Sequence, residues 1–227
     1  MSPRPTVIAI YVGPTGRFSG RESTENDHYT LLPLAGPGDI ESRIKLQPEP
    51  GVLAIVDGWF YQRAALSHEE IRLALRMGWQ VWGLSAFGAI RAYELRHIGM
   101  LGFGEVFEGF FAGRILKDDE ALFLHSENPP YYPISEPLVN FRESLRQLAR
   151  QNMVTEEVAA GILGAISSTW FGNRTLELFG TLLGNDGGLT NAAVASILTN
   201  FERFRLGVAD LQNFLSAKPW IDHKAAS

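Results

Sequence analysis

The chain predicts an α/β unit on a mostly parallel sheet, followed by an all-helical region, and three observations carry that expectation. Short β-branched runs alternate with helix-type stretches over roughly the first 90 residues, which is the pattern of strand–helix–strand units with right-handed crossovers. From Glu105 onward the strand signal fades, and helices of about 10–14 residues run to the C-terminus. The 227 residues are 45% hydrophobic and 20% charged, ordinary values for a globular protein with one packed domain and a smaller appendage.

Taken in order, Thr6 to Val12 reads as a first buried strand, ending in the turn Gly13-Pro14-Thr15-Gly16. Residues 17–30 are polar and without period, and read as a loop. Leu31 to Leu34, with Pro33, reads as a short edge segment. Pro37-Gly38-Asp39 then opens a helix with Asp39 as its expected N-cap. Val52 to Val56 is a second buried strand with Asp57-Gly58 at its end. Ser67 caps a helix over His68 to Met77, and Ser67-x-x-Glu70 has the spacing of a capping box. Gly78 ends that helix, and Gln80 to Leu84 is the third strand. It turns through Ser85, Ala86, Phe87 and Gly88 into a helix bearing Arg91 and Glu94, followed by a glycine-spaced loop. Ala121 to His125 is expected as a further edge strand, and a long helical region begins at Ser135. The resulting division is a three-layer, Rossmann-like α/β core over 1–134 and a helical region over 135–227.

Composition narrows function. The formal net charge is −5, with no basic run, which argues against a general nucleic-acid binder. There are no cysteines, so disulfides, thiolate catalysis and Cys-ligated metals are excluded. The histidines His97, His125 and His223 lack zinc-site spacing, and the sequence names neither a metal nor a cofactor. No stretch approaches the ~20 apolar residues that span a bilayer. The apolar run near the N-terminus is too short for a signal peptide, so a cytoplasmic setting is expected.

The chemistry is expected at strand ends. Asp57 and Ser85 close neighbouring strands on one rim, and His68 begins the helix between them. Asp, His and Ser on one rim are the parts of a hydrolytic triad, although G-L-S-A-F-G is not the nucleophile-elbow pattern. Gly13, Pro14, Thr15 and Gly88 are the candidate backbone cradle for a bound group, the nearest the chain comes to a phosphate loop. Plainer roles stand beside these. Ser85 as a helix N-cap, His68 as an exposed first-turn residue and Asp57 as a turn residue explain the same letters. Arg91 and Glu94, spaced i and i+3, form a helix-face pair, and the small neighbours Ala89 and Ala92 suggest that Arg91 is packed. Asp118-Asp119-Glu120 reads as a solvated turn or, more sharply, as a Mg²⁺ or basic-partner site. Trp79, Phe103, Phe107, Phe110 and Phe111 are expected mostly in the core.

Several segments together resemble the TfuA-like family, whose members accompany YcaO-type enzymes in the making of modified ribosomal peptides. They are an opening strand ending Val12-Gly13-Pro14-Thr15, then Val56-Asp57-Gly58-Trp59-Phe60, Ser67-His68-Glu69-Glu70-Ile71 with Ala74-Leu75 and Gly78, Gly88-Ala89-Ile90-Arg91-Ala92-Tyr93-Glu94-Leu95 and Gly99-Met100-Leu101-Gly102-Phe103-Gly104-Glu105-Val106-Phe107-Glu108. Asp118-Asp119-Glu120 and Ser135-Glu136-Pro137-Leu138 complete the likeness, which covers roughly residues 6–150. The family pattern places a serine where this chain has Ala86, with Ser85 one residue earlier. The resemblance implies an accessory role in YcaO-dependent backbone thioamidation or related sulfur incorporation. It implies as partners the YcaO-type enzyme, a precursor peptide and a sulfur-carrier protein, with self-association left open. It also implies an alternative, a hydrolase that releases sulfide from a thiocarboxylated carrier. The residues that would serve either role are Asp57, His68, Ser85, Arg91 and Glu94.

Overall fold

The computed structural model describes residues 7–17, 28–47, 49–60 and 63–222. The expected loop over 17–30 lies largely, and His223 wholly, outside them. The α/β part runs β1 (Ile8–Tyr11), α1 (Pro14–Arg17), β2 (Tyr29–Leu32), α2 (Asp39–Leu46), β3 (Val52–Ile55), α3 (His68–Arg76), β4 (Gln80–Leu84), α4 (Phe87–Leu95), β5 (Leu101–Phe103) and α5 (Glu105–Phe111). Four longer helices follow: α6 (Leu138–Arg150), α7 (Glu156–Ser168), α8 (Leu176–Asn185) and α9 (Asn191–Thr199). The last two are α10 (Leu206–Ala217) and α11 (Pro219–Asp222).

The five strands form one parallel sheet in the order β2-β1-β3-β4-β5. β1 and β3 are buried at every position, as strands of a parallel sheet covered on both faces must be. On one face Ile8, Ile10, Val52, Ala54, Trp82 and Leu84 pack against Leu211, Phe214, Leu215 and Trp220 of α10 and α11. The Phe214 ring meets Trp82, Phe103 and Trp220 at centroid distances of 5.5, 5.2 and 4.9 Å. Burying such a ring stabilises the fold by about 1.5–3 kcal/mol. The alternate residues Ala9, Leu53, Ile55 and Val81 are also fully buried, and α3 and α4 lie against β4.

The chain divides into two compact units, one reaching Arg114 and resuming at Gly207, the other Ile115–Leu206. The boundary expected after residue 134 therefore falls inside the second unit, and the final helices belong with the sheet. The second unit has its own core, in which Phe141, Phe179, Phe201 and Phe204 form a chain of ring contacts. Arg174 staples it. Its buried guanidinium donates to the carbonyls of Ile166, Ser167 and Thr169 at the end of α7 and to Asp119.

Several expectations change. Gly38, not Asp39, is the N-cap of α2; Asp39 opens the helix, with its carboxylate accepting the Gly36 N–H at 2.7 Å. Ser67 caps α3 as expected, while Glu70 accepts the Gly38 N–H at 2.9 Å. Ala121–His125 is no strand. Leu124 is tied to the loop before α6 by Ile134 N–H and the Ser135 hydroxyl, leaving His125 a single bridge to Pro133. β5 lies in the glycine-spaced loop, too short at three residues to show a period. Phe111 is exposed rather than core. No helix among the described residues is long and apolar enough to cross a membrane.

Candidate functional site

Because β1, β3 and β4 are parallel neighbours, the residues just beyond their last positions share one rim of the sheet. The connections from β1 and β3 leave to opposite sides there, which is where open α/β sheets usually present a ligand cleft. Asp57 occupies the point. One carboxylate oxygen accepts the backbone N–H groups of Gly13 and Thr15, each at 2.9 Å, and the other accepts the Thr15 hydroxyl at 2.8 Å. The loop donors that would cradle an anion thus already hold an internal one, and Pro14 has no N–H to offer.

The Thr15 oxygen lies 3.3 Å from the Ser85 hydroxyl. Thr15 has one hydroxyl proton and gives it to the carboxylate, so Ser85 is the donor of this second bond. The result is a buried chain, Ser85 to Thr15 to Asp57, with relative exposures of 1%, 5% and 3%.

Ser85 is not the N-cap of α4; that position is Ala86, which makes no side-chain bond. Instead Ser85 sits at φ 66, in the left-handed region, where a non-glycine residue is strained. A strand–turn–helix bent this sharply needs the helix close to the sheet. A Cβ on Gly88 would stand 1.7 Å from the Ile55 carbonyl oxygen, and one on Gly83 would stand 2.1 Å from that of Gly88. The Gly88 N–H bonds the Val56 carbonyl at 3.1 Å, so its place in the site is close packing. On the other side, Gly207 at the start of α10 covers the serine, where a Cβ would come 2.2 Å from Ser85 Oγ.

The remaining candidates form a second group. Glu94 accepts from Arg91 Nη1 at 2.6 Å and pairs with His68 Nε2 at 2.8 Å. Arg91 also donates to the Leu66 carbonyl at 3.5 Å and lies 4.5 Å over the Phe87 ring. Its Nε is buried without a hydrogen-bond partner. The side chains grade from 11% exposed at Arg91 through 34% at Glu94 to 44% at His68, so the cluster is anchored inside and open at the imidazole. Asp57, His68 and Ser85 thus stand in two hydrogen-bonded groups, with His68 oriented by Glu94 and Ser85 bonded to Thr15. The carboxylate–imidazole pair can bind, orient or pass a proton at the surface, and the buried chain can fix the rim.

Two features escaped the sequence reading. Asp210, buried in α10, caps α5 from a distance: its oxygens accept the N–H groups of Glu105 at 2.7 Å and Val106 at 3.1 Å. Burial pushes this carboxyl up to about 7 against the pull of those two donors. A lone Asp in an apolar helix was the available signal. In the acidic cluster, Glu120 pairs with Arg142 and Asp119 with Arg174, so two of its three carboxylates answer internal arginines. Hydrogen bonding to Arg142 and to two backbone N–H groups holds Glu120 below the usual carboxylate range despite its partial burial.

The family model for TfuA-like proteins matches residues 57–175. The match opens on Asp57 itself, takes in His68, Ser85, Arg91 and Glu94, and runs past residue 150, near which the resemblance read from the residues stops. Gly13 and Thr15 lie outside it. No curated protein matches the chain. With more than half its length under the family model, the chain belongs to the TfuA-like family.

Proposed function

We propose that this protein is a non-catalytic accessory to a YcaO-type enzyme in peptide backbone thioamidation or a related sulfur incorporation, recruiting sulfur or stimulating the enzyme. One observation carries the reading. The polar groups at the strand ends are buried and satisfied by one another, Asp57 by Gly13 and Thr15, and Thr15 by Ser85. A carboxylate held by three donors fixes a surface more readily than it drives a reaction. The partners are the YcaO-type enzyme and a precursor peptide, in a cytoplasmic setting. The test is a reconstituted thioamidation supplied with free sulfide. Adding the chain raises turnover, and Ser85→Ala and His68→Ala raise it equally well. A chain that leaves turnover unchanged, with the same sulfide, overturns the reading.

The left-handed Ser85 favours a second reading, a hydrolase acting on a thiocarboxylated sulfur-carrier protein. Ser85 Oγ would attack the acyl carbon while its proton passes through Thr15 to Asp57. The C–S bond then breaks, hydrosulfide leaves, and water hydrolyses the acyl-enzyme. Loss of stimulation in Ser85→Ala and Thr15→Val with the carrier as donor, and not with free sulfide, selects this reading.

A further inference from the structure

An open groove of about 530 Å³ lies between the last turns of α3 and the segment after α4, lined by Arg72, Leu75, Arg76, His97 and Ile98. Its size falls within the range of ligand-holding clefts, about 300–1,000 Å³. The lining is unusual for a chain of net charge −5, since three of its five residues carry or can carry positive charge and none is acidic. Arg76 and His97 have no ion-pair partner among the described residues. Arg72 reaches Glu69 only at 3.8 Å, between side chains 44% and 73% exposed, a pair of little energetic consequence.

Helix-end electrostatics explain part of this and leave the rest. Cations in the last turn of a helix are favoured by its dipole, which accounts for Arg76 and His97. That leaves Arg72 a full turn earlier, and an apolar floor in which Ile98 is 39% exposed. The groove also lies near the His68–Glu94 pair. Arg72 lies four residues beyond His68 on α3, and His97 three beyond Glu94, so each sits one turn along from the His68–Glu94 pair.

We infer that this groove docks an acidic polypeptide segment carrying an apolar side chain, the carboxylates meeting Arg72, Arg76 and His97 while the apolar group covers Leu75 and Ile98. Cations around an uncovered aliphatic floor match a short acidic peptide better than a bare anion, which would leave the floor wet. A polyanionic nucleic acid calls for a longer basic track than three side chains. The docking does not depend on whether Ser85 is catalytic.

Fluorescence anisotropy tests it with a short fluorescein-labelled peptide in which acidic residues flank a leucine. The full chain binds this probe, more weakly as salt rises, and the double substitution Arg72→Glu with Arg76→Glu lowers affinity at least about tenfold. Both side chains are exposed, so the double variant stays folded, its melting temperature lowered by only the few degrees that reversing Arg76 against the helix dipole costs. Arg150→Glu, a charge reversal at an exposed site on α6 with half the change in net charge, leaves binding intact. Three results overturn the inference: no binding by the parent, undiminished binding by the double variant, or equal binding of a probe with serine for leucine. Displacement by inorganic phosphate or a single-stranded oligonucleotide at concentrations below those of the unlabelled peptide assigns the groove to those anions instead, and overturns it too.

Discussion

At the scale of single residues, two buried aspartates are held in different ways. Asp57 accepts from three donors of the Gly13–Thr15 loop, and Asp57→Asn turns an amide N–H₂ toward one of them. The substitution is expected to lower stability by about 1.5–3 kcal/mol, read as a lower urea midpoint with an unchanged slope. Asp210 is governed by burial. Its carboxyl, near 4 in the unfolded chain and about 7 in the folded one, binds a proton on folding. What it contributes to stability is therefore whole below about pH 4 and is lost as pH rises through 7. Asp210→Asn should flatten the fall in melting temperature between those limits, and an unchanged fall would assign it to other groups. Sequence reading found Asp57 and Ser85 because strand ends are legible from apolar runs. It did not find their bonds. Which hydroxyl faces which carboxylate depends on strand order, and pairing β3 beside β1 is what brings Asp57 to Thr15. His68 was expected beside Asp57, yet from the first turn of α3 it meets Glu94 of α4.

At the scale of elements, the entry of α4 is the most constrained junction. Gly88→Ala drives a methyl into the Ile55 carbonyl, a backbone atom that cannot swing aside, and Gly83→Ala meets the Gly88 carbonyl in the same way. Each should cost more than about 4 kcal/mol and is expected to yield unfolded or insoluble protein. Gly161→Ala is the contrast. It lies within α7 with open space at its Cβ position, and should raise stability by about 0.5–1 kcal/mol, seen as a higher melting temperature. The helices themselves were readable. Ser67, Thr155, Thr175 and Thr190 each cap a helix through a side-chain oxygen, and only Ser67 was singled out. β5 was not, since three residues flanked by Gly99 and Gly104 carry too little pattern to separate from a loop. Ala121–His125 erred the other way, an apolar run whose bonds go to the Ile134–Ser135 loop.

At the scale of the whole molecule, the parallel α/β unit was legible and its completion was not. Composition marked the last residues as helical, and nothing in a helix's own sequence says that it returns to a sheet lying a hundred or so residues earlier. Leu211, Phe214, Leu215 and Trp220 cover one sheet face, so a chain ending at Leu206 should bind a hydrophobic dye and lose its cooperative melt. A dye-silent, cooperative truncation would show that the face needs no such cover. The return of α10 also sets an order of events during synthesis. The ribosome delivers β1 to β5 first, then all of Ile115–Leu206, and only afterwards the residues that seal the sheet. The second unit, with its own aromatic core, is free to fold while the first still waits, and closing the sheet must draw together ends separated by that whole intervening stretch. A nascent chain of this protein therefore presents an apolar sheet face from the completion of β5 until its last helices emerge, and holding that face apart from other chains falls to whatever meets it at the ribosome.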